Sequence, residues 1–266
     1  MKQNSSIQMF TDYEGGIPDM NIQVEGNIPI FVTRNLVMFP GILSPILVGR
    51  KPTLALVKYL EENPNAIIAV VSQKDSNVND PNEGDIYNIG VYARFVRSFD
   101  MPGYENNNRT AILQGLGRCK IKKVTSTTPF MSGITESLPE EVDTDKEVIA
   151  GRNAILEAIK SGREINKILF QEGIEKGRLK AMKLVAKEYI QESDDIPDDT
   201  QFAIDNLKNP IISVNYICST VPFPVKDKIL LLQENSIKDR LFRLMKILNR
   251  EIQFQQLRQD IRSKTR

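Results

Sequence analysis

The first part of the chain alternates short apolar runs with turn-forming residues, a pattern typical of β-structure. Residues 28–32 and 46–48 are apolar, and a Pro-Gly pair at 40–41 and Pro45 interrupt the stretch between them. Because proline and glycine disfavour a continuous strand or helix, the pattern predicts two short strands. Their connection is longer and more apolar than a hairpin loop. We therefore expect an ordered connection, with residues 36–39 turned inward.

The following segment predicts one helix and a set of paired strands. The helix begins at Lys51 and Pro52, since proline is tolerated in the first turn. The polar segment 99–108 separates two strands and predicts an exposed hairpin tip. Residues 119–135 are expected to form one or two strands, bent near Pro129. The other strands are predicted at 66–71, 87–98 and 109–114.

Beyond residue 138 the pattern changes from strands to helices. An acidic, linker-like segment begins at Pro139, and apolar residues then recur at intervals of three and four. The stretch 210–221 is apolar but rich in β-branched residues, so periodicity alone leaves strand and helix open there. The recurring apolar positions are Val148, Ile155 and Ile159 in one helix, and Leu179, Met182, Val185 and Ile190 in another.

A long helix is predicted at the end of the chain. Ser236 and Asp239 have the spacing of a capping box, and an apolar line follows them. About 25 residues at about 1.5 Å each give a rod of about 40 Å, which is expected to project from a small bundle. The pattern is still helical at Arg266, which favours a chain that continues further. The apolar line consists of Leu241, Leu244, Leu248 and Ile252.

Composition narrows the possible chemistry. The 266 residues include no histidine, which removes the commonest general base and the usual zinc ligand. Cys119 and Cys218 stand far apart without a partner motif, so we expect buried thiols in a reducing compartment. No apolar run approaches the roughly 20 residues that span a bilayer, and no secretory signal is recognisable. These features favour a cytoplasmic, non-catalytic globular protein.

Charge is unevenly distributed along the chain. The segment 226–266 holds eleven basic and five acidic residues, whereas the whole chain has a net charge of only +1. A basic segment can bind nucleic acid. Basic residues near the end of a helix also interact favourably with its dipole, without any ligand. Both interpretations remain open at this stage.

Several blocks of sequence follow the order and spacing of one protein family. The block 28–50 contains Arg34-Asn35 and Phe39-Pro-Gly between its apolar runs. Further blocks lie at 69–81, 85–94 and 114–118, the last reading Gln114-Gly-Leu-Gly-Arg118 where the family usually has an acidic residue before the glycine. Residues 240–264 resemble the family's long leucine-rich helix. Together these blocks resemble the N-terminal substrate-binding domain of Lon, the ATP-dependent protease.

The resemblance implies an α+β fold in four parts. Residues 1–27 are expected to form a flexible N-terminal arm, and 28–137 a β-rich pseudo-barrel (PUA-like) with one helix. Residues 138–235 are expected to form a helical bundle. Residues 236–266 would then form the long projecting helix that leads to an ATPase module.

The same resemblance implies binding rather than catalysis. Full-length relatives are hexamers with an ATPase module, which uses ATP and Mg²⁺, and a serine–lysine protease module; the 266 residues contain no phosphate-binding loop. We therefore expect no catalytic residue, cofactor or metal site. The expected partners are unfolded or damaged proteins, as in quality control and the stress response. Alternatives are a nucleic-acid-binding module using the basic helix and an enzyme that uses carboxylates or lysine.

Candidate binding residues follow from exposure of apolar side chains on a rigid frame. Ile112 is predicted to face outward, if its neighbours Ala111 and Leu113 face the core. The same side chains could instead pack the hairpin onto its own sheet. The Leu241–Ile252 line, Leu241, Leu244, Leu248 and Ile252, is the expected assembly surface. The candidate substrate-binding residues are Met101, Pro102, Tyr104, Ile112, Pro40 and Pro45.

Overall fold

The structure, a computed structural model, describes residues 19–100, 108–140, 175–191, 193, 196, 199–207 and 209–264. The strands are β1 (Asn27–Thr33), β2 (Leu43–Val48), β3 (Ile67–Gln73), β4 (Ile86–Asp100), β5 (Arg109–Ser126) and β6 (Ser132–Leu138). The helices are α1 (Lys51–Glu62), α2 (Glu175–Gln191), α3 (Asp199–Asn206), α4 (Pro210–Thr220), α5 (Val225–Gln233) and α6 (Ile237–Lys264). The fold is therefore α+β, with a β-rich N-terminal part followed by helices, as predicted.

The strands form a sheet that closes on itself. Their order is β2-β5-β4-β3-β1-β6, and β6 also pairs with β5. β1 and β3 run parallel, whereas the other pairs are antiparallel. Five strands thus complete a barrel, while β2 pairs only with the first half of β5. The long β5 belongs both to the barrel and to a three-stranded extension formed by β2, β5 and β4.

Helix α1 confirms the start that the sequence predicted. Arg50 precedes it in extended conformation, and Pro52 lies in its first turn. The helix packs against β1 and β4. Its end at Asn63 is closed by a bond from the Asn63 N–H to the carbonyl of Tyr59. The side chains that it buries are Thr53, Leu56, Val57 and Leu60.

The connection between β1 and β2 passes so close to β5 that β5 has a glycine, Gly115, at the point of contact. Gly41 has a φ of 77°, and its N–H donates to the carbonyl of Gly115 over 3.0 Å. A Cβ on Gly115 would lie 2.3 Å from the carbonyl oxygen of Phe39. Val37, Met38 and Phe39 are buried, as predicted, and Leu36 is half-buried.

The barrel interior is filled mainly by apolar side chains from β1, β3, β4 and β5, together with Met131 just before β6. Tyr92 reaches through this core and its hydroxyl lies 2.8 Å from Thr135 Oγ1, so the buried polar atom is satisfied. Cys119 also lies inside, fully buried. The core cluster is Ile28, Ile30, Val32, Ala69, Val71, Ile86, Tyr92, Leu116, Cys119, Ile121 and Met131.

The chain divides into two compact units, and the first is discontinuous. It comprises the residues up to Glu140 together with Phe223–Asn235, so α5 belongs to the same unit as the barrel. The second comprises Glu141–Pro222 together with Ser236–Arg266. The sequence-based boundaries differ from this division, because they grouped 223–235 with the helical bundle.

Arg118 holds the returning segment to the barrel. Its side chain is fully buried, and its guanidinium donates to the carbonyls of Leu232 (3.1 Å) and Glu234 (2.8 Å) at the end of α5. It also donates to the carbonyl of Pro139 over 3.0 Å, and its Nε lies 3.3 Å from Glu140 Oε1. Arg118 therefore bonds to both segments at which the first unit ends.

In the second unit, α2 and α4 pack against α6. The segment whose periodicity was ambiguous forms helix α4, because Asn209 caps it by accepting a bond from the N–H of Ile212 and Pro210 occupies its first turn. Helix α6 begins as predicted: Ser236 Oγ accepts from the N–H of Asp239 and donates to its carboxylate. The predicted helical positions Val148, Ile155 and Ile159 lie outside the described residues.

Candidate functional site

The β2–β5–β4 extension carries exposed apolar side chains in one row. Leu47 in β2 and Phe99 in β4 are both paired with Thr110 of β5. Residues directly opposite each other in antiparallel strands project from the same face, so Leu47 and Phe99 flank Thr110 on one surface. Their exposed fractions are 64% and 44%.

A second row lies two residues further along the same strands. Pro45 and Arg97 are both paired with Ile112, and both are exposed. Because side chains two residues apart share a face of a strand, this row continues the first one. We call the exposed apolar residues of the two rows, Pro45, Leu47 and Phe99, the outer patch.

The prediction that Ile112 faces solvent is wrong. Its side chain is only 2% exposed, and its neighbours Ala111 and Leu113 are buried as well. β5 is a central strand of the extension, between β2 and β4, and its residues 111–119 are buried whichever face they occupy. Alternation in the sequence therefore does not translate into exposure at this position.

The other predicted substrate-binding residues do not lie together in the described structure. Pro45 is exposed in β2, whereas Pro40 is buried in the connection that precedes β2. Met101, Pro102 and Tyr104 lie outside the described residues, so their part in binding stays a prediction. Periodicity did not single out Leu47 and Phe99, although Leu47 stands between the buried residues Ile46 and Val48.

Ion pairs fix the base of the hairpin between β4 and β5. Arg109 lies 2.7 Å from Glu61 in α1 and 2.9 Å from Asp100 at the end of β4. Ser98 donates to the same Glu61 carboxylate over 2.5 Å. The hydrogen bond from Arg109, followed by that from Ser98, lowers the pKa of Glu61. The outer patch thus lies beside a hairpin base that is tied to α1.

The predicted assembly residues lie mainly inside the second unit. Leu244, Leu248 and Ile252 are buried, and Leu241 is half-buried. The later part of α6 exposes another line of apolar side chains, at intervals of three and four, that is separate from the predicted assembly residues. Its members are Phe254, Leu257 and Ile261, each more than half exposed.

Within the described ranges, no three His, Cys, Asp or Glu side chains come together in a way that could hold a metal ion. Neither cysteine of the chain forms a disulfide, and both are buried. Burial alone raises the pKa of the Cys119 thiol far above its ordinary range, which keeps it protonated and unreactive. In the described part of the chain, no helix is long and apolar enough to cross a membrane.

Comparison with known proteins decides the family. The substrate-binding domain of the ATP-dependent protease La (Lon) matches residues 27–250. The chain belongs to this family. It is 30% identical to the Lon protease of Porphyromonas gingivalis over 243 residues, which cover 91% of this chain but 26% of that protein. The Lon protease of Flavobacterium johnsoniae is 32% identical over 250 residues, with 92% and 27% covered.

A solved structure agrees with the fold. The N-terminal domain of the Mycobacterium avium complex Lon protease superposes with a TM-score of 0.54 at 15% identity, over 84% of this chain and 98% of that one. The chain spans about a quarter of the length of the curated relatives that it matches. Its match is to their substrate-binding domain and not to their catalytic modules.

Proposed function

We propose that this chain is the non-catalytic substrate-recognition and assembly domain of a cytoplasmic ATP-dependent serine protease, and that it binds unfolded or damaged proteins through the outer patch. Unfolded proteins differ from native ones in the apolar side chains that they expose, so a receptor for them needs accessible apolar surface on a rigid frame. The observation that carries the proposal is the exposed row of Leu47 and Phe99 in a domain of the substrate-binding family.

The outer patch has the properties that such binding requires. It stands on three hydrogen-bonded strands, so little conformational entropy is lost when a client contacts it. Arg97 and the ion pairs at the hairpin base border it with charge, which keeps the apolar area small in the free protein. A patch of this size favours weak, reversible contact with many sequences.

The test is binding of a permanently unfolded, fluorescently labelled protein, with its native form as reference. Leu47→Asp should weaken binding of the unfolded form about 10- to 150-fold, since burying a leucine side chain is worth about 1.5–3 kcal/mol. Leu230→Asp is the matched control, because Leu230 is also exposed but lies on α5. Equal binding by Leu47→Asp and the parent would exclude the outer patch as the client site.

For assembly, we propose that the exposed line of Phe254, Leu257 and Ile261 contacts a second copy in the hexamer of the full-length protein. ATP and Mg²⁺ would act in the ATPase module of that protein. Sedimentation of the parent chain and of the Leu257→Asp variant tests this contact. If the contact forms, the variant should self-associate less than the parent.

Nucleic-acid binding is the second candidate function, favoured only by the basic charge of residues 226–266. Part of that charge is buried inside the fold, since Arg240 is fully buried and donates to Asn215 Oδ1 over 2.9 Å. Binding to a mixed oligonucleotide, measured across salt concentrations, separates the two functions, because phosphate contacts weaken steeply with salt.

A further inference from the structure

The first compact unit contains a cavity that the outer patch does not include. It has a volume of about 590 Å³, within the range of about 300–1,000 Å³ that small-ligand sites occupy. Its walls are the first turns of α1, the segment 79–82 and the turn at 127–131. Tyr59 of α1 packs on Phe130 of that turn, with ring centroids 5.3 Å apart, which holds the two walls together. The buried apolar side chains that line it are Ile30, Val32, Leu56 and Met131.

Arg50 brings positive charge to this cavity. Its guanidinium is half-buried and, within the described residues, its acceptors are neutral oxygens: the Val32 carbonyl (2.6 Å), Gln73 Oε1 (2.9 Å) and the Asn79 carbonyl (3.4 Å). Among the described residues, no carboxylate lies within 4.0 Å of it. The cation is therefore oriented by the fold without being neutralised by a direct partner.

The charges around Arg50 keep the region positive. Burial lowers the pKa of Arg50 and the nearby Arg34 lowers it further, while Asp80 raises it. Arg34 donates to the neutral oxygens of Val78 and Asn79. Among the described residues that line the cavity, Asp80 is acidic, whereas Arg50 and Lys51 are basic.

The N-terminus of α1 opens into the same cavity. Arg50 occupies the position before the helix, and no side chain caps the first turn among the described residues. The backbone N–H groups of Lys51 and Thr53 are therefore available, and both residues line the cavity. Free N–H groups and the helix dipole favour an anion at this point. The exposed ammonium of Lys51 adds to the attraction.

We propose that this cavity binds the C-terminal residue of a polypeptide, with its α-carboxylate at the start of α1 and its apolar side chain on the aliphatic floor. A terminal residue carries both groups on one Cα, which matches a cavity lined by cationic and by buried apolar side chains. Asp80 disfavours a multiply charged anion such as a phosphate ester more than a single carboxylate. The inference rests on the proposed function, since it gives the domain a second, end-specific contact with its clients.

The experiment compares two labelled peptides of one sequence ending in leucine, one with a free carboxylate and one amidated. The free acid should bind about tenfold more tightly, because charge-assisted hydrogen bonds are the strong ones. Lys51→Glu should remove most of this preference. Lys58→Glu is the matched control, because Lys58 is exposed on the same helix but does not line the cavity. Arg50 itself is left intact, since it also holds β1 and the segment near residue 79.

A second variant tests the floor independently of charge. Ala55 lines the cavity and is half-buried, so Ala55→Phe should fill it and weaken binding of the free acid about tenfold or more, with unchanged circular dichroism. Equal affinity for the acid and the amide would overturn the inference. So would displacement of both peptides by inorganic phosphate without a preference for the acid.

The two proposals fail separately. An unfolded client with an amidated C-terminus is titrated on the same protein, parent and Leu47→Asp. If this client binds through Leu47 while the peptides show no preference for the acid, the cavity inference is refuted and the proposed function stands. If the acid is preferred while no unfolded client binds, the outer-patch function is refuted and the cavity is supported.

Discussion

Replacing Arg118 by methionine tests the contact that joins α5 and the segment around Glu140 to the barrel. The substitution keeps an unbranched apolar stem and removes the guanidinium. The carbonyls of Leu232, Glu234 and Pro139 then lose a donor at 2.8–3.1 Å, and Glu140 loses a cation at 3.3 Å. Removing one partner of a buried ion pair costs about 3–5 kcal/mol. We expect Arg118→Met to lower the free energy of unfolding of the first unit by this amount.

Such a loss is a large fraction of the stability of an ordinary domain, about 5–15 kcal/mol. The assay is urea unfolding followed by the thiol reactivity of Cys119 in a Cys218→Ala background. Cys119 lies in the barrel core, next to Arg118 in β5, and reacts only when the first unit opens. Far-UV circular dichroism, recorded in parallel, follows both units. Lys120→Met is the matched control, since Lys120 is exposed in the same strand.

Two further variants separate the contributions that the ion pair and the carbonyl hydrogen bonds of Arg118 make to stability. Glu140→Gln removes the ionic partner but leaves the carbonyl bonds, so we expect it to cost much less than Arg118→Met. Arg118→Lys keeps the charge but offers one ammonium in place of a planar fork, and it should not restore the parent stability. A loss below about 1 kcal/mol for Arg118→Met, the size of an ordinary surface change, would refute the reasoning.

Two other predictions follow from close contacts. Gly115→Ala would place a Cβ 2.3 Å from the carbonyl oxygen of Phe39, so it should lower stability in urea unfolding by about 1–3 kcal/mol, whereas Gly84→Ala, in an exposed turn, should not. Arg109 lowers the pKa of Glu61, so this carboxylate stabilises the fold above its ordinary value of 4.5, and the contribution disappears as pH falls through the lowered value. Glu61→Gln should therefore cost up to about 1 kcal/mol at neutral pH and less as pH falls below 4.5. A difference from the parent that persists in acid would contradict this.

Local signals were sufficient for much of the fold. Pro52 marked the first turn of α1, and the Ser236–Asp239 spacing marked the start of α6. These features depend on contacts within a few residues, so the sequence expresses them directly. The barrel was predicted from the family resemblance rather than from periodicity. Its closure depends on pairing between β5 and β6 and between β1 and β6.

Features that depend on distant contacts were not predictable in this way. Ile112 has the alternation of an outward residue, but two neighbouring strands bury it. The return of Phe223–Asn235 to the first unit involves contacts with β4 and with Arg118, both more than a hundred positions earlier in the chain. The cavity likewise combines the start of α1 with turns that lie far from it in sequence. Only the three-dimensional structure brings such residues together.

The late arrival of α5 has a consequence for biosynthesis. A ribosome completes β6 at Leu138 but makes Val225, the first residue of α5, only after the whole intervening segment. At about 5–20 residues per second, the carbonyls of Leu232 and Glu234, which accept from Arg118, emerge several seconds after the last strand. During that interval Arg118 has its partners Pro139 and Glu140 but lacks those at the end of α5, so we expect the first unit to reach its full stability only after α5 has been made.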